Sequence, residues 1–265
     1  MMAHNSSRES GTVFGQMLAF GRRFSRSGLT RIIPQSIKQS LLRRLSRTEV
    51  HGFKLYLPPD ERQSHFYLGT YEPELAEILR SELTPGSVFC DIGAHIGYFS
   101  MMGATLVKES GMVYAFEPFP DSAAAIRQSI GLNGFHNIRL IEGALSGHAG
   151  DSQLYLGAQR GRHSLLPHED PGNGIAVKCF RLDSILDRAP DFAKIDAEGS
   201  ELAILEGAGK CLPKKMVIEY NREREQKARY GWDEFVSALS GYGYHNVKIL
   251  NGSSNESCNL FCVRS

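Results

Sequence analysis

From residue 50 onward, short apolar runs alternate with segments of helical period, and the junctions fall on Gly, Pro or Asn. Such a chain lays strands side by side and returns across their faces with helices, because a parallel neighbour is reached only through a crossover. The expected fold is therefore an α/β, doubly wound domain. Core strands are expected at 88–92, 113–116, 138–142, near Val177, at 192–195 and at 216–220. Helical periodicity marks 72–83, 97–107, 121–132, 200–212 and 232–239. Residues 50–57 read as an entry strand or hairpin arm, ended by Pro58 and Pro59. Two closing strands, 244–250 and 259–263, are separated only by a turn-rich loop, so they are expected to pair antiparallel.

Charge divides the chain of 265 residues unevenly. Residues 1–50 carry nine basic groups against Glu9 and Glu49, a net +7, whereas the remaining 21 basic and 27 acidic residues give −6. This separates a basic extension, 1–49, from a folded domain, 50–265. A mildly acidic body lacks the long-range field that draws in a polyphosphate, so nucleic acid is not expected as a partner. Within the extension, Ile37, Leu41, Leu42 and Leu45 recur at helical spacing behind Pro34, with Lys38, Arg43, Arg44 and Arg47 on other faces. Residues 34–47 thus read as a short amphipathic helix, either docked on the domain or in peripheral contact with an anionic membrane. The Arg and Ser content also matches an organelle transit peptide. The uncharged stretch Ser10–Gly21 is shorter than the roughly 20 apolar residues that a spanning helix needs. Five cysteines without a C-x-x-C pair indicate neither a disulfide framework nor a zinc site, and a reducing, cytoplasmic compartment fits.

The strongest local signal is V-F-C-D-I-G-A-H-I-G-Y-F-S at 88–100: a buried strand, then Asp91, Gly93 and Gly97, then a helix. Glycines at such a turn let a ligand approach the backbone, and V-Y-A-F-E-P at 113–118 ends the next strand in Glu117, 20 residues after Gly97. An acid about that far on is where the hydroxyls of a nucleotide ribose are held. The loop departs from the dinucleotide fingerprint G-x-G-x-x-G, and Asp91 would repel a diphosphate. It would suit a cofactor with an amine and a sulfonium cation, and S-adenosylmethionine has both.

These residues, with A-L-S at 144–146, L-D-S-I-L at 182–186 and K-I-D-A-E-G-S-E at 194–201, resemble the FkbM-type S-adenosylmethionine-dependent methyltransferases over roughly residues 50–221. The resemblance implies a Rossmann-like class I methyltransferase fold: a seven-stranded, mostly parallel sheet with an antiparallel last strand and helices on both faces. It also implies methyl transfer, usually to a hydroxyl on a sugar or secondary metabolite. Carried over, Asp91, Gly93 and Gly97 would line the methionine end of the cofactor, with Ala94 and His95 in the same loop. Glu117 would take the ribose hydroxyls, with Pro118 beside it, and Glu142, Gly143 and Ala144 would meet the adenine. The upstream G-T-Y-E-P-E-L at 69–75 fits as well and adds Glu72. His95 stands where the family more often has Asn, and a hydrogen-bonded turn residue is its simpler role.

On the acceptor side, Asp196 closes a core strand at the carboxyl edge of the sheet, where ligands of open α/β folds sit. It is the first catalytic candidate, able to orient the acceptor or to hold the cofactor amine; the plainer alternative is a structural strand-end acid. Glu198 is a second candidate, while Glu201 suits a helix N-terminus. Asp196, Glu198 and Glu201 are also of the type that holds a hard divalent metal, but spacing does not fix that geometry and no metal is expected. His163 and Ser164 lie in a stretch resembling a substrate-side loop, where an exposed loop His is the alternative. Glu219 and Tyr220 end the fifth strand and are expected to face the same cleft, making Glu219 another base. Arg160 and Arg162 suit an anionic acceptor or plain solvent, and R-E-R-E-Q-K-A-R at 222–229 reads as solvated surface.

The expected function is S-adenosylmethionine-dependent O-methylation of a small-molecule or glycan acceptor, at a sugar, glycolipid or secondary-metabolite hydroxyl. The alternatives are a nucleotide-dependent oxidoreductase, disfavoured by Asp91, and a catalytically inactive methyltransferase-like binding module.

Overall fold

The computed structural model describes residues 46–157, 162–167, 173–228 and 230–265. The amphipathic helix expected at 34–47 lies outside the described residues, except that Ser46 is in a turn and Arg47 opens a strand. A hairpin comes first, β1 (Arg47–Val50) and β2 (Phe53–Tyr56), and it spans the boundary expected at 49/50. Its turn residues His51 and Gly52 both have positive φ, as two-residue hairpin turns require. Helices α1 (Ser64–Leu68) and α2 (Pro73–Glu82) follow.

The central strand β3 (Val88–Ile92) is buried along its whole length, which fits its near-continuous apolar run. The chain continues through α3 (Tyr98–Val107), β4 (Met112–Phe116), α4 (Pro120–Asn133), β5 (Ile138–Ile141), β6 (Ala144–Leu145), β7 (Gly150–Tyr155) and β8 (Gly174–Phe180). It ends with α5 (Leu182–Ile185), β9 (Phe192–Ile195), α6 (Glu201–Ala208), β10 (Lys215–Asn221), α7 (Arg222–Lys227), α8 (Trp232–Gly241), β11 (Tyr244–Gly252) and β12 (Ser257–Arg264).

Seven strands form one sheet in the order β11-β12-β10-β9-β3-β4-β5. All neighbours from β10 to β5 are parallel, while β12 runs antiparallel to both β10 and β11. This is the expected class I methyltransferase arrangement, including its antiparallel last strand. Strand alternation divides the core in two. Phe89, Val113, Phe192 and Val217 face the layer of α2, α3, α4 and the hairpin, whereas Cys90, Ile92, Ile195 and Ile218 face α5, α6 and α8. Helix α3 is apolar on most sides because it is covered by the sheet on one side and by the hairpin on the other. At Gly103 a Cβ would stand 2.5 Å from the Phe89 ring, so the missing side chain is what lets α3 lie so close to β3.

Two expectations are corrected. The strand near Val177 is not in the main sheet; as β8 it pairs with β6 and β7 in a separate three-stranded sheet. Its alternating exposed and buried residues suit a one-sided sheet and not a position covered on both faces. The helix expected over 200–212 ends at Ala208, where Gly209 takes φ +47°, and 209–211 continue as a 3-10 turn.

The hairpin is held to α4 by two side chains. Asn133 accepts from Lys54 N–H at 2.7 Å and donates to the Lys54 carbonyl at 2.6 Å, while Ser129 Oγ accepts from Tyr56 N–H at 2.9 Å. Asn133→Ala is expected to cost about 1–2 kcal/mol and to speed amide exchange in 47–57 well before the seven-stranded sheet responds. Hydrogen exchange followed by mass spectrometry checks this; an unchanged hairpin would show that its apolar contacts alone hold it.

Candidate active site

A cavity of about 280 Å³ opens at the carboxyl ends of β3, β4, β9 and β10. Its floor is the turn from β3 into α3. Gly93 N–H and Ala94 N–H both donate to the Phe116 carbonyl, at 3.1 and 3.0 Å, so the turn is pinned to the end of β4. Gly93 has φ +72°, and a Cβ there would lie 1.9 Å from the Asp196 carbonyl oxygen. Glycine is therefore required twice over at this point, by the backbone angle and by the contact. His95 also has positive φ, which Asn and His tolerate better than most residues.

Glu117 sits at the end of β4, 7% exposed. His95 N–H donates to its Oε2 at 2.7 Å and Phe119 N–H to its Oε1 at 2.9 Å. Each oxygen keeps a further lone pair for a hydroxyl from the cavity. Burial pushes this carboxyl up to about 7, against the opposing pull of the Phe119 and His95 amides. Pro118, Gly143, Ala144 and Leu145 continue the wall on this side.

Segment 59–71 covers the floor from above. Glu61, on a 3-10 turn and 3% exposed, places Oε1 3.1 Å from His95 Nε2. His65 stacks on Tyr71 with ring centroids 5.1 Å apart, and both line the cavity. Burial holds the His65 imidazole below its usual range.

At the other end, Lys194, Asp196 and Glu219 point into the cavity from β9 and β10. Asp196 and Glu219 share a side-chain hydrogen bond, and burial, then the negative charges of Asp196 and Glu201, push Glu219 up to about 9. Glu219 is thus protonated near neutrality. Oxygens of Asp196, Glu201 and Glu219 lie within 4.8 Å of one another. Glu201, however, accepts from Ala197 N–H at 2.7 Å and Gly199 N–H at 2.9 Å, so its two oxygens cap the turn before α6. The arrangement is a proton-sharing pair braced by a capping acid.

Glu198 takes positive φ and forms an ion pair with Arg224 in which both side chains are largely buried. His163 lines the cavity, packs on Phe119 at 4.3 Å between centroids, and accepts from Gly157 N–H at 3.1 Å. Ser164 Oγ donates to the Glu198 carbonyl at 2.6 Å and fastens this loop to the turn after β9.

The residues chosen from sequence do not all meet the cavity. Gly93, Ala94, His95, Glu117, Pro118, Gly143, Ala144, His163, Asp196, Glu198 and Glu219 line it. Asp91 lies beneath the floor, 1% exposed, and accepts from Ser100 Oγ at 2.5 Å. Gly97 backs onto Ile126, and Glu72 sits behind Tyr71, which it meets through a side-chain hydrogen bond. Glu142 turns outward to pair with Arg127. Tyr220, expected in the cleft, is buried on the opposite face of the sheet against Trp232 and Phe235, as strand alternation from Glu219 demands. The run 222–229 is not wholly solvated, since Arg224 reaches Glu198. Sequence reasoning also missed Glu61, Tyr71 and Lys194. Tyr71 stood in the G-T-Y-E-P-E-L motif and Lys194 two residues before Asp196 on the same strand face, whereas Glu61 carried no signal.

The family model described as Methyltransferase FkbM domain matches residues 91–245. The chain belongs to the FkbM methyltransferase family. Its methyl donor is S-adenosylmethionine, which removes the oxidoreductase alternative. The cavity suits that cation: its wall carries Glu61, Glu117, Asp196 and Glu198 against two permanently charged groups, Arg162 and Lys194. A comparison with curated protein sequences gave no match. Among solved structures, the chain is similar to an FkbM methyltransferase from Methylobacillus flagellatus KT, with 19% identity, 75% of this chain and 52% of that chain covered, and a TM-score of 0.47. It is similar to a precorrin-6y C5,15-methyltransferase from Geobacter metallireducens GS-15, with 20% identity, coverage of 72% and 88%, and a TM-score of 0.45. An rRNA methylase from Streptococcus thermophilus gives 16% identity, coverage of 72% and 93%, and a TM-score of 0.45. Among the described residues, no helix is long and apolar enough to cross a membrane.

Glu117→Ala is expected to weaken S-adenosylmethionine binding by about 10- to 100-fold, the loss of charge-assisted hydrogen bonds. Since protonation removes acceptor capacity, wild-type affinity should fall as pH drops below about 7. Calorimetric titration reads both effects, and a flat affinity from about pH 5.5 to 8 would take Glu117 out of donor binding.

Proposed function

We propose that this protein is an S-adenosylmethionine-dependent O-methyltransferase whose acceptor is a hydroxyl of a small molecule or glycan. The supporting observation is the hydrogen-bonded pair of Asp196 and Glu219 at the acceptor end of the cavity. S-adenosylmethionine supplies an electrophilic methyl on a sulfonium. A hydroxyl is a weak nucleophile and gives up its proton only as its new bond to carbon forms, so a carboxylate within reach is the group the reaction needs.

In this reading Glu117 takes the ribose hydroxyls, Gly93 and Ala94 form the floor under the methionine end, and Gly143 and Ala144 meet the adenine. Asp196 is the base. The hydroxyl oxygen forms the bond to the methyl carbon, the carbon–sulfur bond breaks with its electron pair going to sulfur, and the proton passes to Asp196. Glu219, protonated, donates to Asp196 and fixes the direction of its free oxygen. Glu198 is held by Arg224 and shapes the acceptor side, and His163, fastened through Ser164, closes that side. The acids Glu61, Glu117, Asp196 and Glu198 in the wall and a body of net −6 disfavour a polyanionic acceptor, so nucleic acid is not proposed. Peripheral membrane contact through 34–47 remains a separate proposal about the extension.

A methyl-transfer screen of extracted metabolites with isotopically labelled donor tests the activity; a protein that binds the donor yet labels nothing would favour an inactive binding module. With the acceptor in hand, Asp196→Asn should lower kcat by about 10²- to 10⁴-fold while donor affinity stays within a few-fold. Loss of donor affinity at unchanged kcat would reassign Asp196 to the cofactor amine. Because Glu219 must carry its proton, the wild-type rate should decline as pH rises past about 9, and Glu219→Gln should remove that decline. A decline that persists in the variant would exclude Glu219 as its source.

A further inference from the structure

Lys194 is a buried ammonium at the junction between the donor and acceptor halves of the cavity. Parallel register pairs it with Asp91 across β3 and β9, so both side chains lie on one face of the sheet. Its Nζ donates to the Gly93 carbonyl at 2.7 Å and lies 3.5 Å from the Ile92 carbonyl. It stands 3.3 Å from Asp196 Oδ2 and 3.9 Å from Asp91 Oδ1, and that Asp91 oxygen has no hydrogen-bond partner among the described residues. The charged and titratable groups acting on it come from several elements: Asp91 on β3, Asp196 after β9, Glu72 before α2, Glu219 on β10 and Glu117 after β4.

We propose that Lys194 is a positioning residue of the transfer site: it ties the carbonyl rim of the donor turn to Asp196 and supplies the counter-charge that the buried Asp91 needs before the cationic donor arrives. This rests on the methyltransfer reading above and goes further by assigning a residue that touches no reacting atom. Buried carboxylates without a cation take up protons, and a cationic donor entering such a site must first expel them. Burial opposes the ammonium, but Asp196, Asp91 and Glu72 together raise it above the ordinary lysine range, so it stays charged at any working pH.

The experiment is calorimetry of S-adenosylmethionine binding to the full chain, repeated in buffers of different ionisation enthalpy so that protons exchanged on binding are counted. Lys194→Met and Lys194→Gln remove the charge, the second keeping a hydrogen-bond donor for the Gly93 carbonyl should the first fail to fold. Lys194→Arg keeps the charge. Both neutral variants should release about one proton more than wild type near neutral pH, bind about tenfold more weakly there, and recover affinity as pH rises. Lys194→Arg should restore the wild-type proton count. Glu117 also feels the Lys194 charge, so the comparison is repeated in a Glu117→Gln background, where the extra proton of the neutral variants should persist. Folded neutral variants with the wild-type proton count and pH dependence would overturn the proposal, as would an Arg variant that behaves like the neutral ones. A purely structural lysine would lower melting temperature and weaken binding equally at all pH values. A wild-type protein that binds no donor would instead take down the donor-site reading, which keeps the two failures distinct.

Discussion

The turn after β3 rests directly on the end of β9, with the Gly93 Cα facing the main-chain carbonyl of Asp196 and no space between them for a side chain. Asp196 N–H in turn donates to the Ile92 carbonyl at 3.2 Å, so the two strand ends are stitched together where they stop. This contact sets the separation between the surface that receives a methyl donor and the acid that faces an acceptor. Methyl transfer is sensitive to such spacing, because the reacting atoms must meet at near-contact distance and in line. Helix α3, pressed onto β3 at Gly103, and the Phe116 carbonyl, accepting from Gly93 and Ala94, keep the turn from relaxing away from β9.

Charge is the second constraint, and it follows from the first. Bringing the ends of β3, β9 and β10 together gathers Asp91, Asp196 and Glu219 in a region with little water. Three carboxylates there could not all be ionised without help. The structure answers in two ways, with an ammonium between Asp91 and Asp196 and a proton retained on Glu219, while the neighbouring Glu201 is held by main-chain N–H groups. The negative charge that remains is of the sign that a sulfonium and an ammonium need.

The upper wall of the cavity comes from residues upstream of the family match. Glu61, Gln63, His65 and Tyr71 precede residue 91, yet all line the cavity, and Glu61 contacts His95 in the donor turn. This segment is carried by the hairpin and its Asn133 anchor, so the shape of the site depends on packing outside the shared methyltransferase region.

The sequence by itself determined the seven strands of the main sheet from β3 to β12 and the longer helices between them, though not β6, β7, α5 or α7, together with the glycine turn and the acids at strand ends, since each is encoded locally by periodicity, breakers and spacing. Val88–Ile92 and Phe192–Ile195 are legible as buried strands because neither has a polar face for solvent. Period-two alternation also contained, unread, the placement of Lys194 beside Asp91 and the turning of Tyr220 away from Glu219. Only the tertiary structure decided that Asp196 and Glu219 share a proton, that Glu142 points outward, that Arg224 leaves solvent for Glu198, and that Glu61 closes over His95. Those pairings, Glu142 with Arg127 included, join residues from 15 to 34 positions apart, and which distant side chain meets which is fixed by how layers pack and strands register, quantities that no local stretch of sequence carries.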